Sequence, residues 1–193
     1  MELKSYESIY YSIDIDNEHK NIAGFDLDYT VIKPKSNRKF PKDENDWKFL
    51  FGKNTIKIMQ QTFKTHRIVI FTNQKGISKG KLSIEEFSNK LNYIFSELNI
   101  SADVLISTKS DYYRKPMTGM WDFYKKTRKN KVSKKNSFYV GDAAGRIYNE
   151  KLPNSKFKQD HSSDDKFFAH NTKLIFYTPE EFFLGEDSRK FVM

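Results

Sequence analysis

Cysteine is absent from this 193-residue chain, which excludes disulfides, thiolate zinc sites and a cysteine nucleophile. No apolar run approaches the roughly 20 residues that cross a bilayer, so no membrane association is expected. The amino terminus, Met1-Glu-Leu-Lys-Ser-Tyr-Glu, lacks the basic-then-apolar order of a signal peptide. From these absences we expect a soluble intracellular protein, with nucleus and cytoplasm both open. There is no internal repeat and no low-complexity tract. A 193-residue chain that is 37% hydrophobic and 16% aromatic suits one sizeable core, and residues 1–193 read as a single domain.

Negative charge is scarce relative to positive, and unevenly placed. The net charge is +9. Up to Asp28, seven acids (Glu2, Glu7, Asp14, Asp16, Glu18, Asp26, Asp28) outnumber Lys4 and Lys20. Between Lys109 and Lys135, ten lysines and arginines face only Asp111 and Asp122. A basic face concentrates polyanions and speeds their encounter. It is equally compatible with a solvated lysine-rich surface.

What is present alternates. Tyr10 to Ile15 has strand character, and Asn17-Glu-His-Lys is a turn signal ahead of Ile22-Ala-Gly-Phe, which implies a β-hairpin within residues 1–21 beside the central sheet. Residues 33–52 have no clear period and read as a flap over the strand ends. Helical spacing over Asn54 to Thr65 precedes a buried strand from Arg67 to Phe71. Ser83, with Glu86 three residues on, caps a helix whose apolar face is Phe87, Leu91, Ile94, Phe95 and Leu98. Further on are a strand at Ala102 to Ile106, a helix opened by Pro116, a strand at Ser137 to Val140 and a long loop from Ala143 to Asp160. A short helix at Asp164 to Asn171, a strand at Leu174 to Tyr177 and a helical turn at Pro179 to Leu184 complete the chain. This alternation predicts an α/β fold with a doubly wound, mostly parallel sheet and ligands at the carboxyl ends of the strands.

Polar chemistry collects at those ends. Asp26 and Asp28 follow the first central strand. Residues i and i+2 of a strand share a face, so the two carboxylates can share a divalent cation or merely solvate the strand end. Thr72 and Asn73 follow the second strand; Ser107 and Thr108 follow the third and lead to Arg114-Lys115-Pro116; Gly141 and Asp142 follow the fourth. Singly, each group is an ordinary turn, helix start or cap. Four in the same place are a constellation.

An apolar strand ending in Asp-x-Asp-x-Thr resembles the first motif of the haloacid dehalogenase phosphohydrolases. The resemblance implies that Asp26 is the nucleophile and Asp28 the general acid and base. Asp26, Asp142 and the Asp28 carbonyl would then hold Mg²⁺, a hard cation suited to oxygen, while Thr72 and Lys115 bind the phosphoryl oxygens. Four longer segments are similar to the phosphatase domain of polynucleotide kinase 3′-phosphatase: Phe25-Asp-Leu-Asp-Tyr-Thr-Val-Ile, the stretch from Val69 to Leu82, Tyr113-Arg-Lys-Pro-Met-Thr-Gly-Met-Trp, and Tyr139-Val-Gly-Asp-Ala-Ala-Gly-Arg. Weaker similarity at Asp46-Trp47, Ser163 to Asn171 and Thr178 to Leu184 extends it over nearly everything after Ala23. It implies a monomeric, Mg²⁺-dependent enzyme that removes 3′-phosphate from DNA ends, single-stranded or frayed, in strand-break repair, alongside a 5′-kinase domain or other repair proteins. Asp26, Asp28, Thr72 and Lys115 fall on its catalytic positions, Thr72, Asn73 and Lys115 on its phosphate-binding positions, and Asp26, Asp28 and Asp142 on its metal positions. Phe40, Lys79 and Arg114 fall on nucleic-acid contacts, although Phe40 also suits core packing of the flap.

The chain departs from the pattern at Tyr29, where the family usually has glycine; the ring could narrow the mouth, stack on substrate or point away. No phosphate-cradling Gly-x-x-x-x-Gly-Lys-Ser/Thr is present, since Gly52-Lys53 precedes Asn54 and Gly80-Lys81 precedes Leu82; no kinase activity is expected of these residues. Residues 33–52 are too few for a cap domain, so the site should be uncapped. Two other functions compete: a phosphatase for a small metabolite, and a DNA-end scaffold that has lost its chemistry.

Overall fold

The computed structural model describes residues 1–36, 38–147 and 159–186. In chain order the strands and helices are β1 (Lys4–Tyr6), β2 (Ile9–Ser12), β3 (Ile22–Phe25), β4 (Ile32–Lys33), β5 (Lys48–Phe49), α1 (Lys53–Phe63), β6 (Arg67–Asn73), α2 (Lys75–Ser78), α3 (Ile84–Leu98), β7 (Asp103–Ser107), α4 (Gly119–Thr127), β8 (Phe138–Val140), α5 (Asp164–Thr172), β9 (Ile175–Tyr177) and α6 (Pro179–Leu184). Seven strands form one sheet in the order β1-β2-β7-β6-β3-β8-β9. The five from β7 to β9 are parallel. β3 is entirely buried at the centre, as an apolar strand covered on both faces must be.

Alternation along the strands sorts side chains between two cores. On one face Ala23, Phe25, Ile68, Ile70, Val104 and Ile106 meet Met59 of α1, Phe87 and Leu91 of α3 and Phe183 of α6. On the other, Ile22, Val69, Phe71, Leu105 and Tyr139 meet Trp121 and Tyr124 of α4 and Phe168 of α5. Helices on both faces make the sheet doubly wound. The predicted capping box of α3 is present, with Glu86 N–H donating to Ser83 Oγ and Ser83 N–H to Glu86. Thr178 and Glu181 build a second one on α6.

The hairpin expected within residues 1–21 is present beside the central sheet as β1 and β2. β1 and β2 pair with each other around a tight turn in which Glu7 has φ 49°. β2 then adds antiparallel to the free edge of β7. The Asn17 to Lys20 turn joins no hairpin; its carbonyls at Asn17 and His19 accept hydrogen bonds from Arg128. The open edge of β7 wins over local closure because it offers a full ladder, Ile9 to Ser12 against Val104 to Ser107. Two further shifts concern the site. β6 runs on through Thr72 and Asn73, held by pairing to Ile106 and Ser107. α4 starts at Gly119 rather than at Pro116, whose peptide bond from Lys115 is cis. At the two ends of the segment expected to be a flap, β4 and β5 pair antiparallel, Ile32 with Phe49 and Lys33 with Lys48. Much of the expected Ala143 to Asp160 loop lies outside the described residues.

Candidate active site

At the end of β3 the Asp26 N–H still donates to Val140 O at 2.9 Å, which fixes the aspartate between β3 and β8. The chain then turns tightly: the N–H groups of Thr30, Val31 and Ile32 all converge on Leu27 O. Tyr29, in the turn, adopts φ 58°, a region costly for a residue with a Cβ and natural for glycine. Its ring runs toward the flap, where the hydroxyl donates to Lys39 O at 2.7 Å and Arg38 O at 3.3 Å.

Lys115 is the hub. Its ammonium, 3% exposed, donates to Asp26 Oδ1 at 2.6 Å, Asp165 Oδ1 at 2.7 Å and the Tyr139 hydroxyl at 2.8 Å. Burial opposes the charge, but Asp165 and Asp26 outweigh it and hold the ammonium above its ordinary pKa. Asn73 positions this lysine through its backbone, accepting from Lys115 N–H at 3.0 Å and donating to Lys115 O at 3.2 Å. Both ends of the Asn73 amide are therefore engaged with the Lys115 backbone.

Asp165 was not singled out from sequence. It sits in the first turn of α5, where acids are common at any helix start. Tertiary packing gives it its place: the carboxylate takes hydrogen bonds from Tyr139 Oη at 2.9 Å and Ala143 N–H at 3.1 Å. Gly141 permits the approach, since a Cβ there would run into the Asp165 carboxyl. The glycine in Gly141-Asp142 was the available signal.

Asp142 completes an acidic cluster. Its N–H donates to Thr30 Oγ1 at 3.1 Å, and carboxylate oxygens of Asp26, Asp142 and Asp165 lie within 4.8 Å of one another. Burial, then the neighbouring acid Asp165, pushes Asp26 up to about 7 despite the opposing pull of Lys115. Burial, then the charges of Asp165 and Asp26, push Asp142 well above the carboxylate range. Three acids sharing one partly dry site with a single lysine carry surplus negative charge, and an all-oxygen donor set suits a hard divalent cation. The residues thus fit Mg²⁺, with Asp165 a donor candidate besides Asp26 and Asp142.

Asp28 lies apart from that cluster. Gln74 donates to Asp28 Oδ2 at 2.7 Å and to Thr72 Oγ1 at 2.9 Å, joining the ends of β3 and β6. Lys90 of α3 stands 3.6 Å from Asp28 Oδ1. The nucleic-acid candidates occupy outer positions. Phe40 is 71% exposed on the flap and so is not part of a flap core. Lys79 is exposed after α2 and Arg114 is half-buried beside Lys115. Among the described residues, neither has a carboxylate within 4.0 Å.

A parallel sheet with helices on both faces, and a lysine-bridged set of aspartates at its carboxyl edge, define the class: a haloacid dehalogenase-like phosphatase fold. A solved structure of that kind, D,D-heptose 1,7-bisphosphate phosphatase from B. bronchiseptica complexed with magnesium and phosphate, superposes with TM-score 0.58 at 15% identity, over 87% of each chain.

The chain belongs to the polynucleotide kinase 3 phosphatase family, whose model matches residues 21–183. A 20.8 kDa protein of Autographa californica nuclear polyhedrosis virus is 37% identical over 89% of this chain and 90% of its own length. The bifunctional polynucleotide phosphatase/kinase of Schizosaccharomyces pombe is also 37% identical, over 86% of this chain, which spans 38% of that protein. The polynucleotide 3′-phosphatase of Saccharomyces cerevisiae is 30% identical over 90% of this chain and 92% of its own.

Proposed function

We propose that this protein is a Mg²⁺-dependent polynucleotide 3′-phosphatase that clears 3′-phosphate from DNA ends through an aspartyl-phosphate. The observation that carries the reading is the Asp26–Lys115–Asp165 bridge at the end of β3, in a chain of this family. Asp26, Asp142, Asp165 and the Asp28 carbonyl would hold the ion, which neutralises phosphoryl charge and keeps the nucleophile ionised.

In the first step an Asp26 oxygen bonds to phosphorus as the bond from phosphorus to the 3′ oxygen breaks, and Asp28 gives that oxygen its proton. In the second, Asp28 takes a proton from water as the water oxygen bonds to phosphorus and the bond from phosphorus to the Asp26 oxygen breaks, releasing phosphate and the original carboxylate. Splitting one hard displacement in two is the benefit of the covalent intermediate. Lys115 and Thr72 hold the phosphoryl oxygens in line.

The mouth favours a polymer end. Residues 33–52 form a flap, not a domain, and it carries Phe40 facing solvent. An exposed ring can stack on an unpaired base for about 1–3 kcal/mol, while Lys79 and Arg114 neutralise backbone phosphates. Repair of strand breaks, with a 5′-kinase acting on the opposite terminus, is the setting such chemistry serves. The test compares oligonucleotides bearing a 3′- or a 5′-phosphate, with and without Mg²⁺. Metal-dependent release from the 3′ end alone supports the reading; release only from small phosphate esters would overturn it.

A further inference from the structure

Lys90 is out of place by every rule that explains the rest of α3. The helix buries Phe87, Leu91, Ile94, Phe95 and Leu98, and Lys90 lies on the same inward side, three residues after Phe87 and 3% exposed. An ammonium in such a position costs several kcal/mol of desolvation, and lysine is almost never fully buried without a partner. Its single carboxylate partner within 4.0 Å, among the described residues, is Asp28, at 3.6 Å from Oδ1. The ammonium also lies 5.7 Å from the centre of the Phe87 ring. α3 connects the parallel strands β6 and β7 and so runs back antiparallel to them. Its first turns stand at the carboxyl end of the sheet, which is how a helix residue reaches the site.

We infer that Lys90 is a positioning residue for Asp28, acting with Gln74 to fix the direction of the proton-transferring carboxyl. Gln74 holds Oδ2 at 2.7 Å and Lys90 faces Oδ1, so the carboxyl is held from two elements that the strand-end turn does not control. Without them Asp28, with a side chain 36% exposed, keeps free rotation at the mouth of the site. Proton transfer needs heavy atoms within about 3 Å of each other, and a misplacement of about 1 Å costs on the order of 100-fold. A core-facing lysine that could be leucine or methionine at no structural loss marks a local conflict, and such conflicts concentrate at functional sites. This inference rests on the proposed role of Asp28.

Leaving-group dependence tests it. The 3′ oxygen of a nucleotide departs as a poor leaving group that needs a proton, whereas p-nitrophenolate departs without one. Lys90→Met should lower the single-turnover rate of Asp26 phosphorylation, read by acid quench, by about 10- to 100-fold with a 3′-phosphorylated oligonucleotide and by about threefold or less with p-nitrophenyl phosphate, since the later attack of water is common to both substrates. The variant's Tm should change little, because the ammonium's desolvation cost is removed while the Asp28 carboxyl left behind is 36% exposed and keeps its hydrogen bond from Gln74. Lys90→Arg should restore most of the oligonucleotide rate. Gln74→Leu should show the same substrate-dependent loss and carries the test if Lys90→Met does not fold. Asp28→Asn is the reference. If Asp28→Asn discriminates between the two substrates and Lys90→Met does not, the positioning inference is overturned while the role of Asp28 stands. Equal losses in the phosphorylation rate with both substrates for Asp28→Asn would overturn its role as the acid.

Discussion

The Tyr29 hydroxyl donates to the carbonyl of Lys39 at 2.7 Å, tying the turn between the two site aspartates and Thr30 to the residue before Phe40. A side chain is thereby held at φ 58°, where a glycine would sit without strain. The tie gives the ring a direction, toward the segment that carries Lys39 and Phe40.

Tyr29→Phe should therefore loosen the flap without touching the chemistry. One hydrogen bond is worth about 1 kcal/mol, so KM for a 3′-phosphorylated oligonucleotide should rise about fivefold, with kcat on p-nitrophenyl phosphate unchanged. Tyr29→Gly should raise KM as much and also relieve about 1 kcal/mol of backbone strain, which thermal unfolding would detect as an unchanged or higher Tm. A KM unaffected in both variants would remove the strut.

Asp165 should be as necessary as the strand-end aspartates. Asp165→Asn leaves the buried Lys115 ammonium with Asp26 alone and takes one carboxylate from the cation cluster; kcat should fall about 100-fold or more. Gly141→Ala attacks the same contact sterically and should destabilise the fold by about 1–3 kcal/mol. Steady-state rates beside Tm values separate the two effects.

Proton and metal should compete. Asp26 titrates at about 7 in the folded, metal-free protein against 3.8 for a free side chain. Between those values the folded state binds more protons than the unfolded one, so metal-free stability falls as pH rises through this window. Asp142, also pushed up, acts in the same direction. Mg²⁺ should restore the loss, and its apparent affinity should increase with pH up to about 7. Calorimetric melts at pH 5, 6 and 7.5, with and without Mg²⁺, check both signs.

Binding of a 3′-phosphorylated single strand should weaken with salt, with a log-log slope of about −0.7 for each phosphate contacted. Phe40→Ala should cost about 1–3 kcal/mol of that binding with the slope preserved, whereas Arg114→Ala should flatten it. Fluorescence anisotropy across a salt series on the Mg²⁺-free protein reads out each effect, and a flat response in the parent protein would dismiss the basic face as a nucleic-acid surface.

Strand periodicity made the parallel sheet legible, because residues from Ile68 to Phe71 and from Val104 to Ile106 have to be buried on both faces. The candidate site was legible where polar groups follow a strand: Asp26, Asp28, Thr72 and Asp142 are placed by local order, whereas Lys115, beyond the end of β7, is held by Asn73 and the aspartates. What was hidden depends on packing between distant elements. Asp165 reads as one more acid at a helix start until Gly141 opens a path for it. Lys90 reads as one lysine among many until α3 is laid on the sheet. The partner of β2 was hidden for the same reason: an edge strand's neighbour is set by which edge remains free.

The central claim is that Asp26 becomes phosphorylated by a DNA 3′ end. A 3′-[³²P]phosphorylated oligonucleotide mixed with the protein and Mg²⁺, quenched in acid within milliseconds and mapped by peptide, tests it directly. The account predicts labelled protein in the burst, with the label on the peptide containing Asp26 and none in Asp26→Asn. Release of phosphate at full rate with no labelled protein, or label on another residue, would contradict it.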